Sequence, residues 1–532
     1  MIFESPYPPV EETPATLASF VLHRAEQLGT RPAIIDGLSG QALGYDELAT
    51  AVRNTAAGLK VRGLRKGDVV AFFSPNTPLF PVVLLGTALA GGVLTTANPL
   101  YTARELGTQL KDSGARFLIT TEGLMETVRD ALHKSPVDEV FLLDHGSGSG
   151  RGKGPRVSPF GELALCGAPF EPPALDWATD AVVLPYSSGT TGLPKGVVLT
   201  HRNLVMNIRQ QEGCTGHVLM CGDDTILTVL PQFHIYGIFE LTCCALRAGA
   251  TIVVLPRFEL ESYLETIARY GVTFLHVVPP IALMLAQRPE VAAHDLSRVR
   301  AVFSAAAPLS AAQSNALGDR LGCPVIQAYG QTETSPLSIR SPATQRGEQA
   351  GAAGVVVPNT QVRVVDMESG TLLGPNQPGE IQVRGPQVMR EYLGQPEATA
   401  DTIDPEGWLR SGDIGYADGD GYFYVIDRVK ELIKYNGYQV PPAELESILL
   451  THPDVADAAV VAAPDAEAGE IPVAFVVSAP GATANADALM EFVAGQVAPF
   501  KKVRKVVFAP SIPKSPSGKI LRRVLRDELV GG

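Results

Sequence analysis

The six cysteines (Cys166, Cys214, Cys221, Cys243, Cys244 and Cys323) form no CxxC pair, and a chain of 532 residues does not depend on disulfide staples. A reducing, cytoplasmic setting is the expectation. Basic residues are in deficit, 43 Lys and Arg against 56 Asp and Glu. A net charge of -13 argues against a general nucleic-acid binder, which must cluster cations against phosphates. The opening MIFESPYPPVEE has neither a basic start nor an apolar core, so no secretory leader is expected, and the closing ELVGG carries no peroxisomal or retention tripeptide. Charge is missing altogether from Val69 to Ala103. Pro75, Pro78, Pro81, Gly91 and Gly92 cut that stretch into pieces shorter than the roughly 18 residues a membrane span needs, so a buried helix is expected there.

The length exceeds what one hydrophobic core supports and predicts a large domain plus a smaller one. With 45% hydrophobic and 19% charged residues, the chain reads as an ordinary globular α/β protein. Between residues 180 and 330, β-branched runs (AVVLPYSS, TILTVLP, ATIVVLP, TFLHVVPP, RAVFSAA, PVIQAYG) alternate with helical stretches, the pattern of a mostly parallel sheet covered by helices. LESYLETIARYG and SAAQSNALGDRLG are expected to be helical, the second capped by Ser310 and ended by Gly322. Residues 146–155 (GSGSGRGKGP) read as a surface loop. A boundary is expected near Asp427, after a hairpin-like GDGYF turn. Beyond it PAELESILLTH and ADALMEFVAGQV read as helices among the strands ADAAVVAAP, PVAFVVSA and RKVVFAP, which together predict a small α+β domain.

Ser187, Ser188, Gly189, Thr190, Thr191, Gly192, Leu193, Pro194, Lys195 and Gly196 follow a predicted buried strand. Glycines free backbone N–H groups to turn toward an anion, the hydroxyls donate to it, and Lys195 adds charge, so the segment reads as a polyphosphate cradle. A Walker loop is disfavoured: Leu193 and Pro194 separate the second glycine from the lysine, and Gly196 stands where Ser or Thr is needed. Tyr329, Thr332 and Glu333 offer a ring, a hydroxyl and a carboxylate after another strand. Asp413 could accept two ribose hydroxyls. Taken alone, YGQTET would be an ordinary polar loop and His234 a satisfied core histidine.

SSGTTGLPKGVVLTH resembles the signature of the acyl-adenylate-forming superfamily of acyl-CoA synthetases, luciferases and adenylation domains. LPYSSGTTGLPKG, LPQFHIYG, FSAAAPL, AYGQTETSP, WLRSGD, DRVKELIKYNGYQVPPAELE and PKSPSGKILRR together are most similar to 4-coumarate:CoA ligases. The resemblance implies a large N-terminal domain (1–426) with parallel-rich sheets, a hinge (427–430) and a mobile α+β lid (431–532), with ATP, Mg²⁺ and coenzyme A as partners. It implies that Tyr329 lies against adenine, Thr332 on the α-phosphate, Glu333 on the metal, and Asp413 with Arg428 on the ribose. Ala306, Ala307, Pro308, Gln327, Ala328, Gly330 and Gln331 would border the nucleotide. His234, Tyr236, Gly237, Ser304, Ala305, Ala306, Ala328, Gly330, Pro336 and Leu337 would line the acyl pocket. Many relatives have glycine where this chain has Ala305 or Ala306, and the added methyls are expected to narrow the acyl slot. Lys519 would reach the α-phosphate and the carboxylate. Lys434 and Gly437 would face the site after the lid rotates, with Lys430 near the hinge; Asn436 replaces a common lysine, which puts a direct CoA contact there in doubt.

The reaction so implied is adenylation of a carboxylic acid with release of pyrophosphate, then transfer of the acyl group to CoA. His234 could take the thiol proton or only orient the carbonyl. A 4-coumarate or cinnamate-type acid is the expected substrate. Medium-chain fatty acids are the alternative, and a non-catalytic nucleotide-binding homologue or a luciferase-type oxygenase are remoter ones. An amino-acid adenylation domain is disfavoured, because QFHIYG has no carboxylate to meet a substrate ammonium. A monomer or homodimer without a membrane span is expected.

Overall fold

The computed structural model describes residues 1–144, 155–187, 194–216, 218–342, 347–436, 438–465, 467–482, 484–515 and 518–531. Most of the 146–155 loop, residues 188–193 of the phosphate segment, and Gly437 therefore lie outside the described residues.

Two large sheets carry the N-terminal part. The first orders its strands as Glu391–Tyr392, Lys195–Thr200, Ala181–Ser187, Val93–Ala97, Val69–Phe73, Ala115–Thr120, Glu139–Leu142 and Arg156–Pro159. From Ala181–Ser187 onward these strands are parallel, while Lys195–Thr200 turns back antiparallel on Ala181–Ser187. The second sheet has nine strands. Its parallel core comprises Val325–Gly330, Ala301–Ser304, Phe274–Val277, Thr225–Thr228, Thr251–Val254 and Pro32–Asp36. The expectation of one parallel sheet over 180–330 is thus corrected in one respect: Ala181–Ser187 belongs to the other sheet. Alternation along the chain reports strand and helix, but not which sheet a strand joins.

The uncharged stretch folds inward as expected. Phe80–Leu89 is a helix with every residue from Phe80 to Ala88 buried and Pro81 in its first turn, where the missing N–H costs nothing. Among the described residues no helix is long and apolar enough to cross a membrane. Local signals also hold: Ser310 caps Ala311–Leu321 through a box with Gln313, and Gly322 closes it in the left-handed conformation.

A third, antiparallel sheet (Ile2–Glu4, Gln361–Val365, Gly379–Arg384, Leu409–Ala417, Phe423–Arg428) carries the GDGYF hairpin. A fourth gathers Tyr438–Val440, Ile433–Tyr435, Gly469–Ser478, Val455–Asp465 and Lys505–Phe508. With the helices Pro442–Leu449, Ala486–Ala494 and Arg522–Gly531 it forms a C-terminal unit with its own apolar clusters.

Candidate active site

The site lies where the first three sheets meet the C-terminal unit. Ser187 and Lys195 come from the first sheet, and Ser304 and residues 328–333 from the ends of second-sheet strands. Asp413 and Arg428 are paired residues of the third. Ligands in such sheets bind beyond the carboxyl ends of parallel strands, and these residues stand there.

Glu333 is buried, 7% exposed, in a short 3-10 turn. Its Oε1 accepts from the Ser187 hydroxyl at 2.9 Å and from the Tyr392 phenol at 2.9 Å. Among the described residues Oε2 accepts no hydrogen bond, which leaves one carboxylate oxygen for a cation. No cluster of three or more His, Cys, Asp or Glu ligands occurs among the described residues. A single carboxylate suits Mg²⁺, which keeps most of its waters and arrives on substrate phosphates.

Asp413, 6% exposed, accepts from the Tyr329 hydroxyl (2.8 Å, Oδ2) and pairs with Arg428 Nε (3.2 Å, Oδ1). Each oxygen keeps a second lone pair, so two further hydroxyls can be accepted without breaking either contact. The Tyr329 ring is therefore oriented through its hydroxyl. Gly330 is obligatory: a Cβ would meet the Pro336 carbonyl oxygen at 1.7 Å. That approach lets Gln331 N–H donate to the same oxygen (3.1 Å) and folds Gln331–Pro336 into a tight loop, with Thr332 buried and Leu337 tied through its N–H to Asn207.

His234 caps the helix Ile235–Ile238, its Nδ1 accepting the Tyr236 N–H at 3.3 Å. Burial, and secondarily the nearby Lys519 cation, pull its pKa down to about 3. The ring is neutral at physiological pH, and with Nδ1 accepting, this hydrogen-bond pattern assigns the proton to Nε2. Tyr236 is buried and donates to the Phe303 carbonyl at 3.2 Å. Gly237 packs so close to Pro231 that a Cβ would meet its oxygen at 2.2 Å. The buried Ser304 Oγ and Gln331 Nε2 have no hydrogen-bond partner among the described residues. Ala305 and Ala306 pack beside them at the core edge, and Ala306 sits at φ 74°, a left-handed conformation that favours glycine.

The Gln327 side chain is committed within the fold. Its amide bonds Leu309 N–H (3.0 Å), Leu309 O (3.0 Å) and Ala350 O (2.6 Å), so the side chain braces the segment after Ala307 and Pro308 rather than reaching a nucleotide.

Lys519 joins the site from the C-terminal unit. Its neighbour Gly518 is packed so that a Cβ would lie 3.1 Å from Val278. Burial and Arg428 push the Lys519 pKa down to about 8, against the opposing pull of Asp413 and Glu333. Behind it, Arg522 grips both oxygens of Glu446 at 2.8 Å. Lys434, by contrast, is exposed and its N–H bonds Glu470; Lys430 is exposed as well. Asn436 has φ 48°.

Tyr392 escaped sequence reading. It lies 7% exposed on a two-residue strand, with Lys195 Nζ 4.7 Å from its ring centroid. An aromatic in REYLG carries no local signal of such a place.

This constellation on this fold defines a nucleotide-dependent, adenylate-forming type of enzyme, and comparison agrees. Residues 21–393 match the AMP-binding enzyme family and residues 444–519 its C-terminal domain, and the chain belongs to that family. It is 42% identical to 4-coumarate--CoA ligase 3 of Oryza sativa subsp. japonica, over 100% of this chain and 96% of that one. It is 42% identical to 4-coumarate--CoA ligase of Pinus taeda, over 96% and 95%. Among solved structures, ATP-bound MatB from Rhodopseudomonas palustris superposes with a TM-score of 0.84 at 29% identity, covering 97% of this chain and 99% of that one.

Proposed function

We propose that this chain is an ATP-dependent carboxylic acid:CoA ligase acting through an acyl-AMP, on 4-coumarate or cinnamate-type acids, as a cytoplasmic monomer or homodimer. The observation that carries the reading is Lys519. A half-buried lysine from the C-terminal unit feels the charges of Asp413, Glu333 and Arg428 and lowers the pKa of His234, which sets it where ribose, metal, phosphate and acyl carboxylate would converge.

A carboxylic acid is ionised at neutral pH, so its attack on the α-phosphorus needs position and charge neutralisation, not a base. Lys195, Thr332 and Lys519 supply donors and charge from three sides. A divalent cation bound with ATP adds charge neutralisation at the leaving pyrophosphate, and Glu333 would hold it. His234 then serves as an Nε2–H donor to the acyl oxygen in both half-reactions, since a ring with a pKa near 3 is a poor base for the CoA thiol. Thioester formation asks for the Lys434–Gly437 face, which requires residues 431–532 to turn about 427–430 and withdraw Lys519.

The test is ATP- and CoA-dependent thioester formation by mass spectrometry across cinnamic, 4-coumaric, caffeic, benzoic, hexanoic and decanoic acids. Preference for hydroxycinnamates supports the full reading. Preference for hexanoate or decanoate keeps the ligase and overturns the acid class. Absence of both thioester and pyrophosphate overturns the ligase.

A further inference from the structure

We propose that Tyr392 is a positioning residue for adenylation, fixing the metal-side carboxylate of Glu333 and the phosphate-side ammonium of Lys195 on opposite parts of one phenol. The proposal rests on the ligase reading above.

The backbone is what makes the placement firm. Tyr392 pairs with Val197 on the strand that begins at Lys195, and Leu393 N–H donates to Gly196 O at 2.8 Å. On the other side Met389 N–H donates to Glu333 O at 2.8 Å, so the segment 389–393 is stitched to Glu333 and to the strand that carries Lys195. The Tyr392 N–H itself is held by the Thr399 hydroxyl at 3.0 Å.

Side-chain chemistry divides the labour. The hydroxyl donates to Glu333 Oε1 and so turns Oε2 away from itself, while the ring face holds the Lys195 cation. The ring restricts the Lys195 side chain to one placement, so the ammonium is positioned before ATP arrives and keeps its ring contact when it meets a phosphate.

Two substitutions in the full chain separate the two contacts. Tyr392→Phe keeps the ring and loses the hydroxyl; Tyr392→Leu loses both. The readouts are Mn²⁺ affinity of the protein–ATP complex by electron paramagnetic resonance, and ATP affinity without metal by calorimetry, both with no acid or CoA present. Tyr392→Phe should weaken Mn²⁺ about 10-fold, the scale of losing a carboxylate's orienting partner. Its metal-free ATP affinity should stay within about two-fold, because the ring contact survives. Tyr392→Leu should weaken both, ATP by about three-fold or more. Wild-type Mn²⁺ affinity in Tyr392→Phe, or equal losses of metal and ATP in both variants, overturns the assignment. If Tyr392→Leu fails to fold, the Phe variant alone decides. Failure of the unaltered protein to bind ATP is a different result, and it overturns the ligase reading itself.

Discussion

The partial burial of Lys519 beside Arg428 has an energetic consequence that can be measured. Its pKa falls from 10.5 to about 8. That corresponds to about 3 kcal/mol against the closed arrangement at neutral pH, reduced to about 1–3 kcal/mol because the side chain retains some contact with water. Replacing it by methionine, similar in length and without charge, should shift the equilibrium toward closure by about 5- to 150-fold at pH 7. Distance between fluorophores on the C-terminal unit and the main body gives the closed fraction directly. The pH dependence fixes the cause. A base with a lowered folded pKa is penalised fully below about pH 8, progressively less as pH rises toward 10.5, and not at all above it. The difference between the unaltered protein and Lys519→Met should therefore fade across that window. A shift under about two-fold at pH 7, or one that persists unchanged above the window, refutes the reasoning. Adding ATP should close the unaltered protein and leave Lys519→Met little changed, since the phosphates supply a counter-charge to the Lys519 ammonium that methionine does not need.

If His234 is a donor, the thioester half-reaction measured from preformed acyl-AMP should show no inflection near pH 6.5, and His234→Gln should retain more rate than His234→Ala; a histidine inflection overturns the tautomer assignment. His234 also makes a stability prediction: with a folded pKa of about 3 against 6.5 unfolded, it destabilises the fold as pH falls below about 6.5, and His234→Gln should flatten that part of a urea-midpoint-versus-pH curve. Ala306→Gly should relieve a left-handed alanine and raise stability by about 1 kcal/mol, read as a higher urea midpoint. It should also raise kcat/KM for bulkier acids. Asp413→Asn removes a charged acceptor for ribose and should raise the ATP KM by about 10- to 100-fold, an effect of about 1.5–3 kcal/mol, with a smaller change in the KM for the acid.

The sequence carried the site's chemistry further than its architecture. The capped helix after Ser310 and the Pro-broken apolar run each encode their structure locally, and each was legible. Assignment of Ala181–Ser187 to a separate sheet was not, because β-branched strands of either sheet look alike along the chain. Gln327 stood inside a motif read as nucleotide-binding, yet its amide is spent on Leu309 and Ala350, a destination set by tertiary packing. Tyr392 lay in no motif at all; its importance exists only once residues 195, 333 and 392, far apart in sequence, are brought together. The tautomer of His234 likewise depends on one backbone N–H.

The distribution of proposed duties among sheets has a further consequence for how such a protein can change. The proposed acyl-side residues (His234, Tyr236, Ser304 to Ala306) share the second sheet and its flanking segments with Tyr329, Thr332 and Glu333, while Ser187 and Lys195, Asp413 and Arg428, and Lys519 arrive from the first sheet, the third sheet and the C-terminal unit. Under those roles, alterations of the first sheet, the third sheet or the C-terminal unit bear on nucleotide handling alone, whereas the acid pocket can be reshaped only by second-sheet changes that leave residues 329–333 in place.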